Sequence, residues 1–358
     1  MKFGKRQQFS LWRASALVVL LALSAMLAMA GEHQRSVLVM TSTNDPSGNN
    51  LVVFKLNTYG TPSLTMVNKL PTGGNGGAGG NAGILQFQNN LGAVANFGSN
   101  TVTQLIRYNE FVAVGRTIHL AGDCVKPDSV ALADNRLFVV GANCAETHAW
   151  PLGNAVGNVV KLADPSSAQI AVGEDWAAVT QTSGSVLQLP LTKWGLLTGT
   201  STPLTLPSNA NDTPLGAAFW GNLLGFTPAH SPDSFAVVNA ERDVFPIVGP
   251  TPPYPSNAPC WVARGAGNVW YTGNSPGQAI SVFFTDAKGG VFYKSVSVPG
   301  VPTDLTVSAD GNWLAAIYTA GGQGYIAVFS IDNFGGLTLA ATSNSIGVTS
   351  FNGVAISE

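Results

Sequence analysis

The sequence predicts an all-β fold: a seven-bladed β-propeller of four-stranded antiparallel blades, closed by the C-terminal strand joining the first blade. Three observations predict it. A four-strand unit is legible near the C-terminus, the same plan recurs along the chain, and the first copy lacks one strand while the chain ends on a single unpaired one.

The unit is clearest from Val301 onward. Alternating apolar Leu305 and Val307 make a strand, Ser308-Ala309-Asp310-Gly311-Asn312 supplies a tight Asp-Gly turn, and residues 313–318 return antiparallel. A Gly-rich break at residues 320–324 ends that strand, residues 325–331 make a third and residues 337–341 a fourth. Four strands in about 45 residues is the size of one blade. Copies occupy residues 258–300, 213–250, 168–206, 127–162 and 82–120. Residues 37–70 hold only three strands, without the innermost one, and the run at residues 351–357 completes that segment, leaving no open sheet edge. A β-sandwich with a second domain is the competing architecture, and the even spacing and uniform composition of residues 31–358 argue against it.

Composition agrees. The 358 residues include 41 Gly and 21 Pro, which leaves little room for long helices. Only 10% are charged and the net charge is -2, which gives no electrostatic footing for nucleic acid or an anionic membrane surface. At the N-terminus, Lys2, Lys5, Arg6 and Arg13 precede an apolar run over residues 16–29, and Ala28-Met29-Ala30 offers small residues where a signal peptidase reads. Residues 1–30 are expected to be a cleaved signal peptide rather than an anchor, since the run falls short of the roughly 20 residues a spanning helix needs. Residues 31–358 would then be one secreted or periplasmic propeller, expected to be a monomer.

Several stretches together resemble the lactonase-type seven-bladed propellers: the Gly-rich run from Pro71-Thr72-Gly73-Gly74, Asn96-Phe97-Gly98-Ser99-Asn100, Ala258-Pro259-Cys260-Trp261-Val262-Ala263 and Val301-Pro302-Thr303-Asp304-Leu305-Thr306-Val307-Ser308. That family includes 6-phosphogluconolactonase and the 3-carboxymuconate-lactonising enzyme, and many secreted members. The resemblance implies the fold more firmly than the reaction. It also implies acids at the ends of second strands, where this chain carries Gln181 and Pro228, so two acids common in the family are absent. Basic residues suited to a phosphate are scarce on the expected face, with Lys126 and Arg264 nearby, which disfavours a phosphorylated sugar lactone.

In a propeller the loops leading into the innermost strands and those leaving the second strands open on one face around the axis. That places Asp128, Asp304, Trp261 and Asn352 near the axis, with Glu146, His148, Gln181 and His230 on the surrounding exits. Taken singly, each of Asp128 and Asp304 reads first as a cap on its own turn; together they can act as paired base and acid on a lactone. His148 suits general-base work, and the Glu146–His148 pair reads otherwise as a solvated loop pair. The four His show no metal-ligand spacing, and neither metal nor cofactor is expected. Residues 72–81 lack the Lys-Ser/Thr and helix of a Walker loop and read as a flexible crossing or as an anion-binding nest. Cys124, just before the innermost strand of the third unit, and Cys144, just after its neighbour, are placed to bridge, a link worth on the order of 3 kcal/mol. Cys260 is left single, a small buried residue more readily than a nucleophile. Two functions follow as expectations. One is a secreted, metal-free lactone hydrolase or lactonising enzyme using Asp128, Asp304 and His148, with Trp261, Asn352, Glu146, Gln181 and His230 binding substrate. The other is a non-catalytic propeller binding an extracellular protein, glycan or cell-wall partner.

Overall fold

The computed structural model describes residues 36–230, 234–248, 258–286, 288–348 and 350–358. The export signal expected over residues 1–30 lies outside them. The described residues form seven antiparallel sheets arranged as blades. Blade 1 takes its innermost strand, Asn352–Ser357, from the end of the chain and continues outward through Val37–Ser42, Asn50–Asn57 and Ser63–Pro71. Blades 2 to 7 begin at Leu85–Gln88, Pro127–Ala133, Ser167–Val172, Pro214–Trp220, Pro259–Arg264 and Val301–Val307, and each then runs outward in chain order.

Closure follows from register. Val39 faces Ile356, Met40 faces Ala355 and Thr41 faces Val354, so the terminal strand supplies the ladder that Val37–Ser42 would otherwise present as an edge. The Thr41 hydroxyl adds a 2.9 Å bond to the Gly353 carbonyl. Apolar side chains pack between neighbouring blades. Val39, Val52 and Phe54 of blade 1 meet Ile317, Ile326 and Val328 of blade 7, and the other six interfaces are built alike.

Three of the innermost strands share a local device. Pro127, Pro214 and Pro259 open their strands, where a missing N–H costs no ladder bond, and the register shifts just after each. In blade 3 the bulged residue is Asp128. One boundary differs from the sequence reading: in blade 7 the break narrows to Gly321-Gly322, because both glycines adopt positive φ and let Ala320 pair directly with Gln323. A short further strand, Gly347–Val348, adds to that sheet.

Candidate functional site

The innermost strands all begin on one face of the ring, called leading here, and end on the other, called trailing. The expected axial pocket lay at the leading mouth. The structure fills it. The Gly-rich run, read as a flexible crossing, is pinned: Gly76 and Gly77 donate to the carbonyls of Asp45 and Asn44, Ala78 donates to Asn44 Oδ1, and Gly98 donates to the carbonyl of Asn75. It then lays Asn81-Ala82-Gly83 across the axis. Asn81 donates to the Asp128 carbonyl of blade 3, accepts from Asn352 Nδ2 of blade 1 at 2.7 Å, and takes a 3.4 Å bond from Trp261 Nε1 of blade 6. Ala82 donates to Ala168 of blade 4, and the Gly83 carbonyl accepts from Val130 of blade 3. Ala82, Ala168, Leu215 and Ala229 pack together beside Trp261 and Cys260. The leading mouth is a stopper.

What is open lies beyond it. A cavity of about 170 Å³ occupies the trailing half of the channel, lined by Gln86, Gln169, Arg264, Asp304 and Thr306 among others. Arg264 ends its innermost strand, so it stands at the trailing mouth and not on the face first expected. Its guanidinium lies 5.8 Å from the Trp220 ring and is pushed below its ordinary range by burial. Gln169 is held by a 2.7 Å bond from Ala217 N–H to its Oε1. Asp304 is the buried acid among the lining residues. Its carboxylate accepts the Leu305 N–H at 2.8 Å, and the backbone N–H groups of Gly83 in the stopper and of Gly353 and Val354 in the closing strand favour its charged form. Burial raises its pKa to about 7 against the pull of those N–H groups.

The expected catalytic trio does not come together. Asp128 is buried on the leading side, where its carboxylate accepts from Ser167 Oγ at 3.1 Å; burial raises it to about 7, opposed by Ser167 and Lys126. Glu146 and His148 stand on the third strand of blade 3, Cys144–Ala149, rather than on a loop beside the axis. Both are 1% exposed, so the solvated-pair reading fails. His148 Nε2 lies 2.6 Å from Glu146 Oε1, Nδ1 lies 3.1 Å from the Gly153 carbonyl, and Ala121 N–H donates to Glu146 Oε2. Both ring nitrogens of His148 thus face acceptors. Gln181 is also committed, donating to the Asp164 carbonyl at 3.0 Å. His230 is exposed on the leading rim, where its Nδ1 meets Thr213 Oγ1 at 2.9 Å. Trp261 and Asn352 reach the axis but are engaged with Asn81. Cys124 and Cys144 are bonded to each other with Cα atoms 5.6 Å apart. Cys260 is free, with its thiol pushed up to about 11 by burial. Gln86, Gln169 and Thr306 went unread in the sequence. Their signal is a polar residue placed past the start of an innermost strand.

No family model and no curated protein matches the sequence. Solved structures do resemble it. A periplasmic gluconolactonase from Pseudomonas aeruginosa aligns at a TM-score of 0.63 with 14% identity, over 90% of this chain and 98% of that one. A protein named provisionally as a 6-phosphogluconolactonase, from Bacteroides uniformis, gives 0.66 with 12% identity over 90% and 100%. Virginiamycin B lyase from Staphylococcus aureus gives 0.53 with 12% identity over 78% and 94%. The chain has the lactonase-like propeller fold. At these identities the likeness is one of architecture, and the chemistry rests on the residues above.

Proposed function

We propose that this protein is an extracytoplasmic lactone hydrolase that takes a small unphosphorylated lactone into the trailing half of its channel. The observation that carries the reading is Asp304: a carboxyl of pKa about 7, fixed by backbone N–H groups, facing a polar cavity with an arginine at its mouth. A group titrating there is available both as base and as acid near neutrality. Water attacks the ring carbonyl while Asp304 takes its proton; the C–O bond of the ring breaks, and the same proton returns to the leaving oxygen. The acid so formed releases its remaining proton to solvent, and Arg264 is suited to hold the carboxylate that is left.

Size supports the substrate class. A cavity of about 170 Å³ equals roughly six water volumes at ~30 Å³ each, enough for a lightly substituted five- or six-membered ring. The fold shared with a periplasmic gluconolactonase and the signal-like N-terminus support the location. The test is proton release from a panel of unphosphorylated lactones. Asp304→Asn is expected to lose on the order of 100-fold in turnover, and Arg264→Ala to raise KM, while Asp128→Asn keeps turnover within about twofold. Full activity in a folded Asp304→Asn variant overturns the assignment.

A second reading, binding without catalysis, is favoured by a separate groove of about 620 Å³ lined by Asp134, Arg136, Glu174, Asp175, Lys193 and Trp194. Trp194 is 66% exposed there. The exposed indole has Lys193 Nζ 5.0 Å over its ring, and its other face, beside carboxylates, suits stacking on a sugar ring with hydrogen bonds to its hydroxyls. Calorimetry with neutral oligosaccharides, showing heat lost in Trp194→Ala and no turnover of any lactone, would favour this reading over the first.

A further inference from the structure

The buried cluster between blades 2 and 3 has no part in the channel, yet it gathers metal-ligating chemistry. Strand alternation puts Cys144, Glu146 and His148 on one face of Cys144–Ala149. Cys124, from the segment that leads into blade 3, meets that face. The two sulfurs and a Glu146 carboxylate oxygen all lie within 4.8 Å of one another, and the three residues are 5%, 0% and 1% exposed. While the sulfurs are bonded to each other they cannot act as thiolates.

We propose that reduction of the Cys124–Cys144 bond by a dithiol converts this cluster into a site for a divalent ion of the zinc class, with both sulfurs and Glu146 as ligands. The reductant gives two electrons and two protons to the S–S bond and becomes a disulfide, while the chain gains two thiols. Metal binding then releases both thiol protons to solvent. Two thiolates select a borderline-soft ion such as Zn²⁺ over Mg²⁺ or Ca²⁺. The carboxylate is already oriented, by Ala121 N–H on Oε2 and by His148 on Oε1, with His148 itself fixed by the Gly153 carbonyl. Such outer partners set a ligand's direction and basicity. His148 is therefore a positioning residue, and the fourth coordination place falls to water.

Cobalt titration of the full chain, oxidised and after reduction with a phosphine, tests this. Reduced protein is expected to show thiolate-to-cobalt charge-transfer and visible ligand-field bands saturating at one ion per chain, and Zn²⁺ should bleach them. Oxidised protein should show neither. Cys144→Ser should abolish the bands, Glu146→Gln should weaken binding about tenfold or more, and Cys260→Ser should leave the bands intact. Absent bands in reduced, folded protein overturn the proposal, as do bands indifferent to Cys144→Ser. If reduction melts the sheet signal in circular dichroism, Zn²⁺ must restore it, and failure to do so also overturns the proposal.

Discussion

Asp128 and Asp304 both have carboxyls raised to about 7 by burial, so each binds a proton on folding that the unfolded chain releases at its ordinary, lower pKa. Their contribution is fully present below the unfolded pKa and is lost as pH rises through about 7. Thermal melts should therefore give a Tm higher by on the order of 5 °C at about pH 5 than at about pH 8. Asp128→Asn should flatten that slope without moving the lactone-dependent activity; a Tm that climbs from acid to neutral pH would contradict the burial of these groups. Asp304 could be singled out in the sequence because the blade plan places it on a loop leading into an innermost strand. Its partners could not, since Gly83 and Gly353 are brought to it only by the closed ring.

At the scale of elements, the Gly-rich run shows why composition misleads. Glycine is used both where a chain must flex and where backbone must approach backbone, and the two uses read alike in sequence. Gly76 belongs to the second kind: a Cβ there would run into the Asn44 backbone. Gly83 combines φ +69° with Gln169 and Ser129 side chains about it. Gly76→Ala is expected to cost about 1–3 kcal/mol, seen as a lower urea midpoint with unchanged slope. An unaltered midpoint would restore the flexible reading. The same blindness hid the stopper, because Asn81 finds its partners more than forty residues away. Glu146 and His148 were legible as a pair, but not as buried, since only the packing of blade 3 on blade 2 removes them from water.

For the whole molecule, the ring was legible because it depends on repetition: equal spacing, recurring turns and one strand too few at the start answered by one at the end. Deleting the residues after Ser350 removes buried Phe351, Val354 and Ile356 and opens an edge along Val37–Ser42. At 1.5–3 kcal/mol per buried side chain, roughly 6 kcal/mol is lost, a sum comparable with the whole stability of a domain. The truncated chain should be insoluble or unfolded at room temperature, and a circular-dichroism melt matching the full-length chain would refute the closure. The channel's floor and mouth, by contrast, are assembled from innermost strands of different blades, and no local pattern says which mouth is stopped.

The most direct test of that arrangement is a crystal of the protein soaked with a small lactone or its hydroxy acid. Density in the trailing half of the channel, against Asp304 and Arg264, is the expected result; density on the leading side against Asn81 and Trp261 would contradict it.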